Sequence, residues 1–108
     1  MSKTYHGDRT IDGIVVTVDG EALSERTDVK QFTDLGFEWT YVGDSSKQLA
    51  LAILCDHLND TAKALSLTDG FTASVIARLN NEWTMTSADV QAAVDQLAPD
   101  RSRPAESA

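Results

Sequence analysis

Residues 35–58 read LGFEWTYVGDSSKQLALAILCDHL, and the hydrophobic period changes inside them. Leu35, Phe37, Trp39 and Tyr41 alternate with Gly36, Glu38, Thr40 and Val42, which predicts a strand with four large side chains on one face. Beyond Gly43, Leu51, Leu54, Cys55 and Leu58 recur at spacings of three and four, the signature of a helix. Leu49 and Ile53 widen the apolar arc, so this helix is expected to be covered on more than one side. Asp44, Ser45 and Ser46 offer N-cap side chains, and a cap at Ser45 would place Gln48 at the N3 position of a capping box. Strand then gives way to helix, the order of an α+β domain.

Upstream, Ile14, Val16 and Val18 alternate with Val15 and Thr17, a β-branched run with period two. Asp12-Gly13 can turn a hairpin that pairs this run with a strand over residues 4–11, in which Gly7 marks a bulge or a close backbone approach. Asp19-Gly20 repeats the turn signal before a short third strand, Glu21-Ala22-Leu23. Residues 24–34 show no clear period, although Val29 and Phe32 can anchor one helical turn. Downstream, Asp60 is expected to cap a short turn through Leu65. Thr68 is expected to cap a second helix with the stripe Phe71, Val75, Leu79, stopped at Asn80-Asn81. Trp83 and Met85 read as a short extended piece, with an edge strand as the alternative. Thr86 opens a last helix with Val90, Ala93, Val94 and Leu97 on its buried stripe.

The predicted architecture is α+β, an N-terminal antiparallel sheet of three or four strands packed on one face by about three C-terminal helices. A single small domain spans 1–98, and 99–108 is a flexible polar tail. One domain suits 108 residues, because single domains cluster at about 100 to 150 residues.

Seventeen acidic residues against nine Lys and Arg give a formal charge of -8. Nucleic-acid backbones require a positive footprint, and neither half of the chain has one, so direct nucleic-acid binding is not expected. Anionic membrane is disfavoured on the same ground, and no apolar run is long enough to span a bilayer. The charge suits solubility, a basic partner, a high-salt cytoplasm or mimicry of nucleic acid. A cytoplasmic location is the default. Cys55 is the single cysteine, so no internal disulfide forms, and no cysteine-rich zinc pattern exists.

His6, Asp8 and Arg9 place an acid/base group, a carboxylate and a guanidinium within four residues, weak catalytic candidates without a nucleophile opposite them. In a strand, His6 and Asp8 share one face, while Tyr5 and Arg9 lie on the other. The plainer account is a polar strand end. Cys55, Asp56 and His57 are adjacent on a helix and so do not converge on one metal. Gly43 to Lys47 can present helix-start amides to an anion, but Asp44 opposes one, and a cap explains the loop. No cofactor and no metal site are expected. Trp39, Tyr41 and Trp83 are the possible interaction residues, since exposed aromatics dominate interface energetics; core packing is the competing account.

Tyr5-x-Gly7-x-Arg9, Val16-x-Val18-Asp19-Gly20-x-x-Leu23, Phe37-x-Trp39-x-Tyr41-x-Gly43, Gln48 to Leu54, and Trp83-x-Met85-Thr86 together resemble a small uncharacterised family, a domain of unknown function found in bacteria, archaea and their viruses. Where members often carry a glycine and a proline before the glutamine, this chain has Ser45, Ser46 and Lys47. The resemblance implies no assigned activity, and its presence in viral and mobile genomes implies an accessory or host-interaction role. The acidity is similar to that of proteins from salt-adapted organisms.

The leading expectation is a noncatalytic protein-protein interaction or accessory module that binds a protein partner or forms a homo-oligomer. An enzyme using His6, Asp8 and Arg9, joined by His57, is the second reading. An acidic nucleic-acid mimic that binds a basic protein is the third.

Overall fold

The structure is a computed structural model that describes residues 3–97. The expected polar tail, 99–108, lies outside the described residues. Strands β1 (Thr4–Thr10), β2 (Gly13–Val18) and β3 (Glu21–Ala22) form the N-terminal meander. Helices α1 (Asp44–Leu58) and α2 (Thr61–Ser74) follow, then a 3-10 turn over Ile76–Arg78, strand β4 (Trp83–Thr86) and helix α3 (Ser87–Leu97). The sheet order is β3-β2-β1-β4, antiparallel throughout. The predicted α+β architecture is therefore the observed one.

The fourth strand differs from the one expected. Residues 35–42 run beside the sheet as irregular chain, and the edge position next to β1 belongs to Trp83–Thr86. Backbone dihedrals account for the difference. Gly36 and Thr40 take positive φ values of 89° and 81°, which no strand tolerates. Each reversal breaks the alternation, so Leu35 is 85% exposed while Trp39 is fully buried.

Turn chemistry explains the meander. Asp19 and Gly20 both have positive φ, as a type I′ turn requires, and Val18 pairs with Glu21 across it. The first hairpin turns one residue earlier than expected, at Ile11-Asp12, with Thr10 paired to Gly13. Gly7 is a close backbone approach. It pairs with Trp83, and a β-carbon added there would collide with the indole.

Tyr5, Gly7, Val16, Trp83 and Met85 face the helices, while His6, Asp8, Val15, Thr17 and Thr84 face away, where no helix covers them. Helix α1 is the centre of the molecule. Every residue from Gln48 to Cys55 is buried, because α2 lies along one side of the helix, the loop of residues 25–33 is bonded to Gln48, and Tyr5 reaches Asp56 from β1. That is the wide apolar arc read as chemistry.

The remaining helix boundaries follow from side-chain hydrogen bonds. Asp60 accepts from the Lys63 amide at 3.1 Å and is a cap as expected, but of the whole of α2 rather than of a short turn ending at Leu65. Thr68 is inside that helix rather than at a cap, since its hydroxyl donates to the Ala64 carbonyl at 2.8 Å. The helix ends at Ser74, so the Phe71, Val75, Leu79 stripe is split between α2 and the turn after it. Thr86 and Asp89 cap α3 reciprocally, each side chain accepting from the other's amide.

Ser45 and Gln48 form no capping box. The N-cap is Gly43, and Gln48 turns away from the helix start. Its buried amide instead makes four hydrogen bonds. Oε1 accepts from the amides of Phe32 (2.7 Å) and Thr33 (3.3 Å), and Nε2 donates to the carbonyls of Glu25 (2.7 Å) and Lys30 (3.0 Å). A primary amide offers two donors and two acceptor lone pairs, so its capacity is used completely.

Replacing Gln48 with Leu strands two N–H and two C=O groups, and we expect a loss of about 3 kcal/mol in urea denaturation. Hydrogen exchange in that variant should quicken across residues 24–33 more than within α1; uniform quickening would contradict this role. Gly7→Ala should cost about 2 kcal/mol by overpacking against the indole of Trp83, read in the same denaturation experiment.

Candidate functional site

Two separate surfaces carry the candidate residues. The first is the uncovered face of the sheet. His6 and Asp8 alternate with Gly7 on β1 and therefore point the same way, as period two dictates. His6 pairs across to Thr84 on β4, and its Nδ1 lies 3.0 Å from Thr84 Oγ1. Its Nε2 lies 3.4 Å from a carboxylate oxygen of Glu82, which precedes β4.

Arg9 belongs to neither of these groups. It leaves the strand on the opposite face and gathers three segments. Nη2 donates to Glu38 Oε1 at 2.6 Å and to the Trp39 carbonyl at 3.0 Å, while Nη1 donates to Asn81 Oδ1 at 2.6 Å. The guanidinium carbon also sits 4.8 Å from the centre of the Trp39 ring. Arg9 is thus a structural clamp between β1, residues 38–39 and the turn before β4. His6, Asp8 and Arg9 do not converge on one reaction centre.

His57 is brought to neither surface. Its Nε2 is 2.7 Å from Gln91 Oε1, so it joins α1 to α3. Asp56 accepts from the buried Tyr5 hydroxyl at 2.7 Å and from Lys3 Nζ at 3.1 Å. Burial, together with the Asp56 carboxylate, holds the Tyr5 phenol far above its ordinary range. Cys55 is 3% exposed, and burial pushes its thiol up as well, which suits an inert core position.

The second surface is an open cleft of about 580 Å³ where residues 35–41 meet the first hairpin and the start of α1. Ile14, Leu35, Phe37 and Tyr41 supply its apolar wall, and Glu25 and Glu38 supply carboxylates. Of the three aromatic interaction candidates, Tyr41 alone is substantially exposed, at 47%. Trp39 and Trp83 are buried against one another, edge to face, with ring centres 5.7 Å apart and planes at 88°. The Gly43–Lys47 segment supplies Ser45 to the cleft wall and is otherwise the entry to α1.

Sequence reasoning did not single out Leu35, Val42 or Glu82. Gly36 was the available signal for the first two, since a glycine inside an alternating run weakens it as a strand. For Glu82 the signal was its position beside a strand that could add to the sheet next to β1.

The chain belongs to a family of unknown function, DUF6166, which it matches over residues 5–96. No curated protein and no solved structure matches it.

Arg9→Met should lose about 1 to 2 kcal/mol of stability, since it removes a charged hydrogen-bond donor from Glu38 and the Trp39 carbonyl at a partly exposed site. The indole resonance of Trp39 in an NMR spectrum should shift along with the amides of residues 81–82. An effect confined to β1 would contradict the clamp.

Proposed function

We propose that this protein is a noncatalytic interaction module whose cleft beside residues 35–41 receives a segment of a basic protein partner. One observation carries the reading. Leu35, Tyr41 and Val42 are 85%, 47% and 57% exposed within a single short segment, and two of them line a concave surface. Exposed apolar side chains gathered at a cleft are a feature of binding sites, whereas scattered ones are ordinary.

Charge selects the occupant. Glu25 and Glu38 stand in the cleft wall, and the whole chain carries -8, so Lys or Arg beside an apolar anchor is the complementary chemistry. Glu38 is already paired with Arg9, which leaves Glu25 as the carboxylate for a partner cation.

The backbone supports the same use of this segment. Thr40 holds φ at 81°, a costly conformation for a β-branched residue, between buried Trp39 and exposed Tyr41. With it we infer an accessory role in a cytoplasmic setting, in a family spread across bacteria, archaea and their viruses. The enzyme reading is weakened because Arg9 and His57 lie away from His6 and Asp8. Among the described residues no helix is long and apolar enough to cross a membrane.

A peptide panel that varies apolar and basic positions tests the proposal by fluorescence anisotropy. Peptides with an apolar residue flanked by Lys or Arg should bind, and Leu35→Ser with Tyr41→Ser should weaken them at least about tenfold. Glu25→Gln should flatten the salt dependence. Val15→Ser, on the far face of the sheet, serves as the control. Equal binding of acidic peptides, or binding indifferent to the Leu35 and Tyr41 changes, would overturn the reading.

A further inference from the structure

We infer that His6, Asp8 and Glu82 form a binding site for a divalent transition-metal ion, with Zn²⁺ as its representative, on the uncovered face of the sheet. One donor atom from each of the three lies within 4.8 Å of the other two. Ligands held about 2.0 to 2.2 Å from a common zinc ion are roughly 3 to 3.6 Å apart, so closure requires a contraction of about 1 Å. The Glu82 side chain, 65% exposed, is free to make that movement.

Three features make this more than a group of surface acids. The first is ligand chemistry. An imidazole with two carboxylates is a mixed N/O set suited to Zn²⁺ and its neighbours in the first transition row, whereas Mg²⁺ favours oxygen ligands and retained water.

The second is orientation. His6 Nδ1 lies on Thr84 Oγ1 at 3.0 Å, and in the tautomer that donates this hydrogen bond, Nε2 presents its lone pair toward Glu82. In that tautomer Nε2 and a Glu82 carboxylate oxygen 3.4 Å away can both bind a cation held between them, whereas in the other tautomer Nε2–H donates to Glu82 and the Thr84 hydroxyl donates to Nδ1.

The third is support from the scaffold. The ligands come from two paired strands, with His6 and Asp8 two apart on one face of β1 and Glu82 just ahead of β4. Arg9 ties Asn81, the neighbour of Glu82, back to β1 from the opposite side at 2.6 Å. None of the three ligands belongs to the core, so the packing of the domain does not explain their presence. Three protein ligands leave at least one position for water or for an oxygen from another molecule.

The two histidines of the chain give the test an internal control, because His57 bonds to Gln91 and lies outside the cluster. Zn²⁺ titrated into the full chain labelled with ¹⁵N should shift the imidazole nitrogens of His6 and leave those of His57 unchanged. Calorimetry should give one site, with Mg²⁺ failing to compete at equal concentration.

Glu82→Gln and Asp8→Asn should each weaken binding at least about tenfold, His6→Gln should abolish it, and Thr84→Val should weaken it through the orientation of His6 alone. All these side chains lie outside the core, so circular dichroism should show each variant folded. Equal perturbation of both histidines, affinity unchanged by Glu82→Gln and Asp8→Asn, or no site tighter than millimolar would each overturn the assignment. The last result would leave His6 and Glu82 as a surface contact only.

Discussion

Four hydrogen bonds to one buried side-chain amide hold the least regular part of this protein in place. Residues 24–33 contain no strand and only a single turn of helical form, so their backbone groups have few partners within the segment. Gln48 supplies those partners from the first turns of α1, accepting two amides and donating to two carbonyls. A buried backbone group without a partner is costly, and so is a buried amide side chain. Here each satisfies the other. The loop is consequently fixed to the most deeply buried helix in the molecule without needing regular structure of its own.

The cleft depends on that anchoring. Its wall combines Glu25, from the segment that Gln48 grips, with residues 35–41, whose course is set by left-handed turns at Gly36 and Thr40. Arg9 fastens the other end, through Glu38 and the Trp39 carbonyl, to the central strand. An irregular segment held at both ends by polar side chains can keep Leu35 and Tyr41 at the surface while Trp39 is buried between them. A regular strand could not display and bury side chains in that order.

Several local signals, in which one side chain acts on its own backbone, were legible, although the Asp12-Gly13 signal placed its turn one residue late. Asp19-Gly20, Asp60, and Thr86 with Asp89 mark their turn or helix start in the sequence and do so in the fold. The wide arc from Leu49 to Cys55 correctly announced a helix enclosed on several sides. Misreadings arose where a distant partner decides the outcome. Gln48 fits a capping box by spacing, yet the carbonyls it serves lie 18 and 23 residues away in the chain. Thr68 fits a cap, yet the helix already begun at Thr61 takes it into its interior. The alternation at residues 35–42 shows which side chains are large but not the dihedral reversals that redirect them. For the candidate sites, the shared face of His6 and Asp8 followed from strand periodicity. Glu82 joins them only through the pairing of β1 with β4, which links the two ends of the domain.

That pairing also imposes an order on how the chain can complete itself. Strand β1 is internal to the sheet, but its second neighbour is encoded almost eighty residues later. As the chain emerges from a ribosome, the meander and the first two helices are made while one side of β1 still has unpaired backbone groups. An open strand edge of this kind is a template for another chain. Gly7 and Tyr5 meet their covering partners only when Trp83 and Met85 arrive, and the Lys3 amide then bonds Ser87 to close the seam. Until then the sheet has three of its four strands and β1 stands at the margin, so the last strand and helix of the domain act as the lock on the first strand made.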